Sequence, residues 1–257
     1  MFIILNKEKM LAYAISVLTV LMLFGIGSIT VNNETYETSA VVTPNLPIYN
    51  VQTEERKIAF TMNCAWSAED IDDILETLRS NEVKITFFMV GDWVDKNPEA
   101  VKKIYEEGHE IGNHSNTHPH VTKLTYEQNF QEIEKCSQKI EQITGQKPTL
   151  YRAPYGEYNE EVITASFENG YYPIQWNKDT LDYQALTGEQ MWKRIGTNLQ
   201  SGDIILSHNG TAHTSDSLDM LIKNIKEKGF EIVKVSDLIY KENYTINSNG
   251  TQENKYN

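Results

Sequence analysis

Two periods of apolar residues alternate along most of the chain. Short β-rich apolar runs occur at 57–63, 84–90, 110–114, 149–153, 172–176, 203–208 and 231–235, which predicts seven strands. Between them, apolar residues spaced by three and four predict helices over 68–80, 98–107, 125–144, 159–169, 188–200 and 215–228. Gly108, Gly145, Gly170 and Gly229 each follow one of these helices, where a C-cap accepts positive φ. Strand–helix alternation through a single domain predicts a mostly parallel sheet. Seven strands without a duplicated dinucleotide motif favour an α/β, TIM-barrel-like fold, closed or nearly closed, over an open sheet.

The ends of the chain follow other patterns. Residues 10–31 are apolar except for Ser16, Thr19, Ser28 and Thr30, long enough to span a bilayer as a helix. Lys7 and Lys9 precede this run and no Lys or Arg follows until Arg56. That bias puts residues 1–9 in the cytoplasm and the remainder outside. No small-x-small cleavage site follows the run, so it reads as an uncleaved signal-anchor, making the protein single-pass in the cell membrane. Residues 32–55 are polar, with Pro44 and Pro47, and read as a linker. Residues 241–257 are Asn-rich and read as a disordered tail, leaving 56–240 as the folded domain.

The formal net charge of −13 argues against a nucleic-acid partner held by phosphate neutralisation. Export permits a disulfide, but nothing in the spacing of the two cysteines, Cys64 and Cys136, brings them together.

Five predicted strand ends carry chemistry. They hold Asn63 and Cys64, His114, Arg152, the segment from Trp176 to Asp179, and His208. In a β/α barrel that edge is where catalytic groups converge. His114 and His118 are the strongest metal-ligand candidates, since four-residue spacing puts both rings on one side of a helical turn. Cys64 is a third ligand as a thiolate, or a small buried apolar residue. His208 ends an apolar strand, and Asp182 or Asp179 could hold its second nitrogen, as a general acid needs. Arg152 pairs with a carboxylate or clamps a base. Trp176, Tyr155 and Tyr183 form a wall for a sugar ring or belong to the core.

Four segments in order resemble the NodB-type polysaccharide deacetylases, carbohydrate esterase family 4. They are His114-Ser115-Asn116-Thr117-His118-Pro119, Arg152-Ala153-Pro154-Tyr155, Asp179-Thr180-Leu181-Asp182-Tyr183 and Leu206-Ser207-His208. The resemblance covers roughly residues 57–240 and implies a distorted (β/α)7 barrel. It also implies removal of N-acetyl groups from a glycan, peptidoglycan or chitin-like, with a divalent metal, zinc first and cobalt or manganese as alternatives. By position it makes His114 and His118 metal ligands, Arg152 the residue that orients the base, and Tyr155 an oxyanion contact. Asp182 becomes the tether of His208, and His208 the acid that protonates the leaving amine.

The departure lies in Thr61-Met62-Asn63-Cys64-Ala65-Trp66, where the family has a carboxylate pair. Asn63 takes the position of the base, and Cys64 that of the third ligand. A first motif ending in Ala65-Trp66 resembles the family's sporulation-type subgroup. Three readings stay open: a deacetylase with an altered metal site, a catalytically impaired barrel that binds glycan, and a hydrolase with Cys64 as nucleophile and His208 as its partner.

Overall fold

The computed structural model describes residues 46–256, together with Lys7, Met10, Ser16 and Val17. Most of the expected anchor over 10–31 and most of the expected linker thus lie outside the described residues. Among the described residues no helix is long and apolar enough to cross a membrane.

The strands in chain order are β1 (Asn50–Val51), β2 (Lys57–Cys64), β3 (Thr86–Met89), β4 (Glu110–Asn113), β5 (Leu150–Tyr151) and β6 (Tyr172–Pro173). They continue as β7 (Lys178–Asp179), β8 (Ile204–His208), β9 (Glu231–Val233), β10 (Tyr244–Ile246) and β11 (Thr251–Asn254). The main sheet runs β6-β5-β4-β3-β2-β8-β7, with β9 alongside the start of β2. Every pairing in it is parallel. All seven expected strands are present, and the short β7 is an addition. The helices between them include Ile71–Ser80, Pro98–Glu106, Tyr126–Thr144, Glu160–Glu168, Gly188–Ile195 and Thr214–Glu227, and the unexpected Gly91–Lys96. The result is an α/β half-barrel.

The expected closure is incomplete, because no pairing among the described residues joins β6 to β7. The stretch before β2 lies across that gap instead. Ile48 donates its N–H to the Pro173 carbonyl (2.8 Å) and accepts from the Gln175 N–H (2.7 Å). The Val51 N–H reaches the Gly202 carbonyl at 3.0 Å. A Cβ on Gly202, whose φ is +82°, would lie 1.7 Å from the Val51 carbonyl oxygen, so only glycine permits this approach. Residues 48–51 are therefore part of the domain rather than linker.

The expected disordered tail is also folded. Strand β11 pairs parallel with β1 and antiparallel with β10. Gln252 is fully buried, and its side-chain amide exchanges two hydrogen bonds with the Tyr240 backbone (2.8 and 2.7 Å). Backbone pairing, which polar composition does not reveal, holds this segment.

Alternation along β2 separates two cores. Ile58, Phe60, Met62 and Cys64 pack with Leu75, Leu78, Leu221 and Ile225 of the helices. Ala59 turns the other way and packs with Phe88, Ile174 and Ile204 inside the half-barrel. Burying each large aliphatic side chain contributes about 1.5–3 kcal/mol. The helix Tyr126–Thr144 buries Asn129, Ile133, Cys136, Ser137 and Ile140, a single stripe at helical spacing. A Thr125–Gln128 capping box starts it, and Gly145 at φ 72° ends it. Cys64 and Cys136 are both free and buried.

One buried histidine links the fold to pH. His109 accepts the Ile85 N–H at 3.2 Å through Nδ1. Burial, helped by Lys84, pushes its pKa down to about 3. The folded state keeps this ring neutral while the unfolded chain protonates near 6.5. Stability is therefore complete above about pH 6.5 and falls as pH drops from there towards 3. The urea midpoint should decrease over that window, and decrease less steeply in His109→Gln, which keeps an acceptor and cannot titrate.

Candidate active site

The carboxyl ends of β2, β4, β5, β7 and β8 surround a cavity of about 650 Å³. Asn63, His114, His118, Tyr155, Trp176, Asp179, Tyr183, Leu206 and His208 all line it. The expected site residues are thus brought together, with Arg152 directly beneath them and Cys64 as the exception.

The segment after β4 is not the expected helical turn. Ser115 and His118 instead adopt positive φ, 67° and 58°. This loop folds back and sets the His114 and His118 ring centroids 5.0 Å apart. Glu132, from the helix Tyr126–Thr144, holds it in place. One carboxylate oxygen accepts from the Ser115 hydroxyl (2.7 Å) and from the backbone N–H groups of Asn116 (3.0 Å) and Thr117 (2.8 Å). The Thr117 hydroxyl adds a further bond at 3.1 Å. Glu132 was not expected at the site, because in the sequence it is one more acidic residue on an amphipathic helix. His120 points elsewhere: it bonds Glu157 at 2.8 Å and stacks on Tyr155.

Arg152 is fully buried and lies over the Phe88 ring at 4.0 Å. Its guanidinium donates to the Thr61 hydroxyl (2.8 Å), the Asn63 Oδ1 (3.0 Å) and the Gln175 carbonyl (3.0 Å). Burial pushes its pKa down to about 9, against the pull of Asp179 in the opposite direction. It remains a cation at neutral pH, solvated by neutral oxygens. The other side of the Asn63 amide meets His114: Nδ2 lies 3.2 Å from the ring Nε2. His114 Nδ1 lies 2.7 Å from the Arg152 carbonyl. Burial first, then the neighbouring ring, holds His114 well below the usual histidine range, and burial also lowers His118.

Cys64 is a correction. It follows Asn63 on the same strand, so alternation points it to the opposite face. It is fully buried among the outer aliphatic side chains. Burial, then Asp70, raises its thiol well above the ordinary value. It therefore joins neither the two imidazoles as a ligand nor His208 as a nucleophile. Among the described residues no cluster of three His, Cys, Asp or Glu side chains could hold a metal ion. His114 and His118 offer two donors, where catalytic zinc usually has three from the protein. The residues present do not fit the expected metal.

The other half of the site is complete. Asp182 is fully buried, and its carboxylate is saturated by donors. Oδ1 accepts from His208 Nδ1 (2.8 Å) and the Tyr183 N–H (3.0 Å). Oδ2 accepts from the His208 N–H (2.6 Å) and the Thr214 hydroxyl (2.7 Å). The pairing fixes a proton on Nδ1 and turns Nε2 away from the carboxylate. Asp179 does not share this task; it accepts the Leu181 N–H at 2.8 Å. Trp66 and Tyr183 flank the His208 ring at centroid distances of 5.1 and 5.7 Å. Trp66, Tyr155 and Tyr183 are each about half exposed, an aromatic rim around the mouth. Trp176 lies deeper, 5.5 Å from the Arg152 guanidinium. Trp66 was not an expected wall residue, although it stands in the altered first motif.

Comparison with known proteins places these features. The family model described as polysaccharide deacetylase matches residues 50–174. The uncharacterised protein YlxY of Bacillus subtilis is 36% identical over 193 residues, covering 75% of this chain and 60% of YlxY. The peptidoglycan-N-acetylglucosamine deacetylase PgdA of Listeria monocytogenes is 34% identical over 206 residues, 80% of this chain and 43% of PgdA. The chain thus spans roughly half the length of these curated relatives. The crystal structure of wild-type BA3943, a CE4 family pseudoenzyme from Bacillus anthracis, superposes with a TM-score of 0.73 at 31% identity, covering 76% of this chain and 69% of that one. A mutant of BA3943 with restored enzymatic activity superposes equally well. Identity at this level, carried across most of the described domain on the same half-barrel, makes the chain a member of the polysaccharide deacetylase family.

Proposed function

We propose that this chain acts on N-acetylated cell-wall glycan, peptidoglycan first, as a deacetylase whose hydrolytic step is limited at position 63. The observation that carries the reading is the intact His208–Asp182 pair beside an aromatic-rimmed cavity. A sugar ring stacks on the exposed faces of Trp66, Tyr155 or Tyr183, and its acetamido group faces the strand ends. With Nδ1 held by Asp182, a protonated His208 presents Nε2–H to the leaving amine. The buried Asp182 holds the ring in the orientation that this role requires. Arg152 and His114 hold the side chain at 63, but an asparagine accepts no proton from water. Loss of a positioned base costs about 10²–10⁴ in rate. No step is assigned to a metal, because the donor set falls short. The apolar run at 10–31 supports display of this domain outside the cell on a membrane anchor.

A second reading is favoured by Asn63 and by the likeness to a pseudoenzyme: the groove binds glycan and does not turn it over.

Acetate release by the full chain from N-acetylated peptidoglycan and chitin oligomers, with and without added Zn²⁺ or Co²⁺, separates the two. Slow release that disappears in His208→Ala supports the deacetylase. No release from the parent, with glycan binding retained and activity gained in Asn63→Asp, supports the second reading. A chain that neither binds nor hydrolyses these glycans overturns both.

Glu132 should matter to either reading. Glu132→Ala removes the acceptor for the Ser115–Thr117 loop and should destabilise the fold by about 2 kcal/mol in urea titration. Glycan affinity should fall with it. Full affinity in this variant would show that the loop holds its shape without the carboxylate.

A further inference from the structure

The donors and acceptors around Asn63 permit a single arrangement. The Arg152 guanidinium can only donate, so the atom of the Asn63 amide facing it at 3.0 Å is the oxygen. The amide nitrogen therefore faces His114 Nε2 at 3.2 Å. The Arg152 carbonyl can only accept, so His114 Nδ1, 2.7 Å away, carries the ring proton. The Asn63 NH₂ can only donate, so Nε2 faces it with its lone pair and accepts. The hydrogen bonds close on themselves: Arg152 side chain to Asn63, Asn63 to His114, and His114 back to the Arg152 backbone.

We infer that Asn63 is an internal ligand of His114: its amide occupies the ring nitrogen that a divalent metal would take, and it makes the site self-sufficient without one. Asparagine here is more than a missing base. An aspartate at 63 would set a carboxylate oxygen against the Nε2 lone pair, an arrangement that calls for a cation or an extra proton between them. One amide nitrogen in place of one oxygen thus exchanges a cation-requiring site for one satisfied by protein alone. Cys64 cannot compensate, because a one-residue slip of β2 would turn its whole outer row of side chains inward. The inference concerns the same cavity as the proposed function but does not depend on glycan turnover.

Zn²⁺ binding to the full chain, stripped with a chelator and measured without glycan, tests it. The parent should show the same urea midpoint in Zn²⁺ and in EDTA. Asn63→Ala, which frees Nε2, should bind one Zn²⁺ at least about fivefold more tightly, the factor set by one net hydrogen bond. Asn63→Asp should have a lower midpoint than the parent in EDTA and recover it with Zn²⁺. His114→Ala should abolish the gain in the Asn63→Ala background, which separates this site from the surface histidines. A parent that binds one Zn²⁺ as tightly as Asn63→Ala, and loses it in His114→Ala, overturns the inference. If a variant does not fold, nitrogen-15 histidine spectra of the parent decide. The inference requires a Nδ1-protonated His114 whose Nε2 resonance is unmoved by equimolar Zn²⁺, and a Zn²⁺-induced shift of that nitrogen overturns it. Glycan binding is measured separately, so its failure leaves this result standing.

Discussion

The burial of one guanidinium organises this protein. Arg152 lies inside the half-barrel with no access to water, and every oxygen around it is there to solvate a charge. A buried cation left without donors' partners costs several kcal/mol. That demand fixes the rotamer of Thr61, the orientation of the Asn63 amide and the turn of the chain at Gln175. Its own carbonyl orients His114. The strand ends of β2, β4 and β5 are thus joined through a single residue, and the cavity above inherits their geometry.

The two halves of the site have diverged in character. On one side, Asp182 is saturated by four donors and holds His208 as an acid requires. On the other, a neutral amide stands where water activation needs a carboxylate. The aromatic rim is open to a ligand in either case. The His208–Asp182 pair and the aromatic rim stand on one side of the cavity, and Asn63 stands on the other.

Much of the architecture was legible from periodicity. The seven strand runs, the six helix stripes and the glycine stops correspond to elements of the fold, because burial on one or two faces imposes those spacings. The ends of the domain were not legible. Ile48–Val51 and Thr251–Asn254 are held by backbone hydrogen bonds and a close approach at Gly202, and the two buried apolar residues Ile48 and Val51 are too few to show a period. The His114–His118 loop was read as a helical turn because spacing alone cannot distinguish a helix from a loop bent by two positive φ angles. Glu132 was invisible for a related reason: its role depends on a helix that packs beside a loop 15 residues earlier in the chain.

The sequence by itself determined the family, since His114, His118, Arg152, Asp182 and His208 stand in the order of that family's motifs. It also showed that the first motif is altered. Only the tertiary structure decided what the alteration means. Asn63 and Cys64 are adjacent in the chain and both are polarisable groups at a strand end. Strand pleating sends one into the cavity and the other into the aliphatic core, so a plausible pair of replacements becomes one amide facing one imidazole. That outcome follows from the alternation of β2 and from the hydrogen-bonding needs of a buried arginine 89 residues further along.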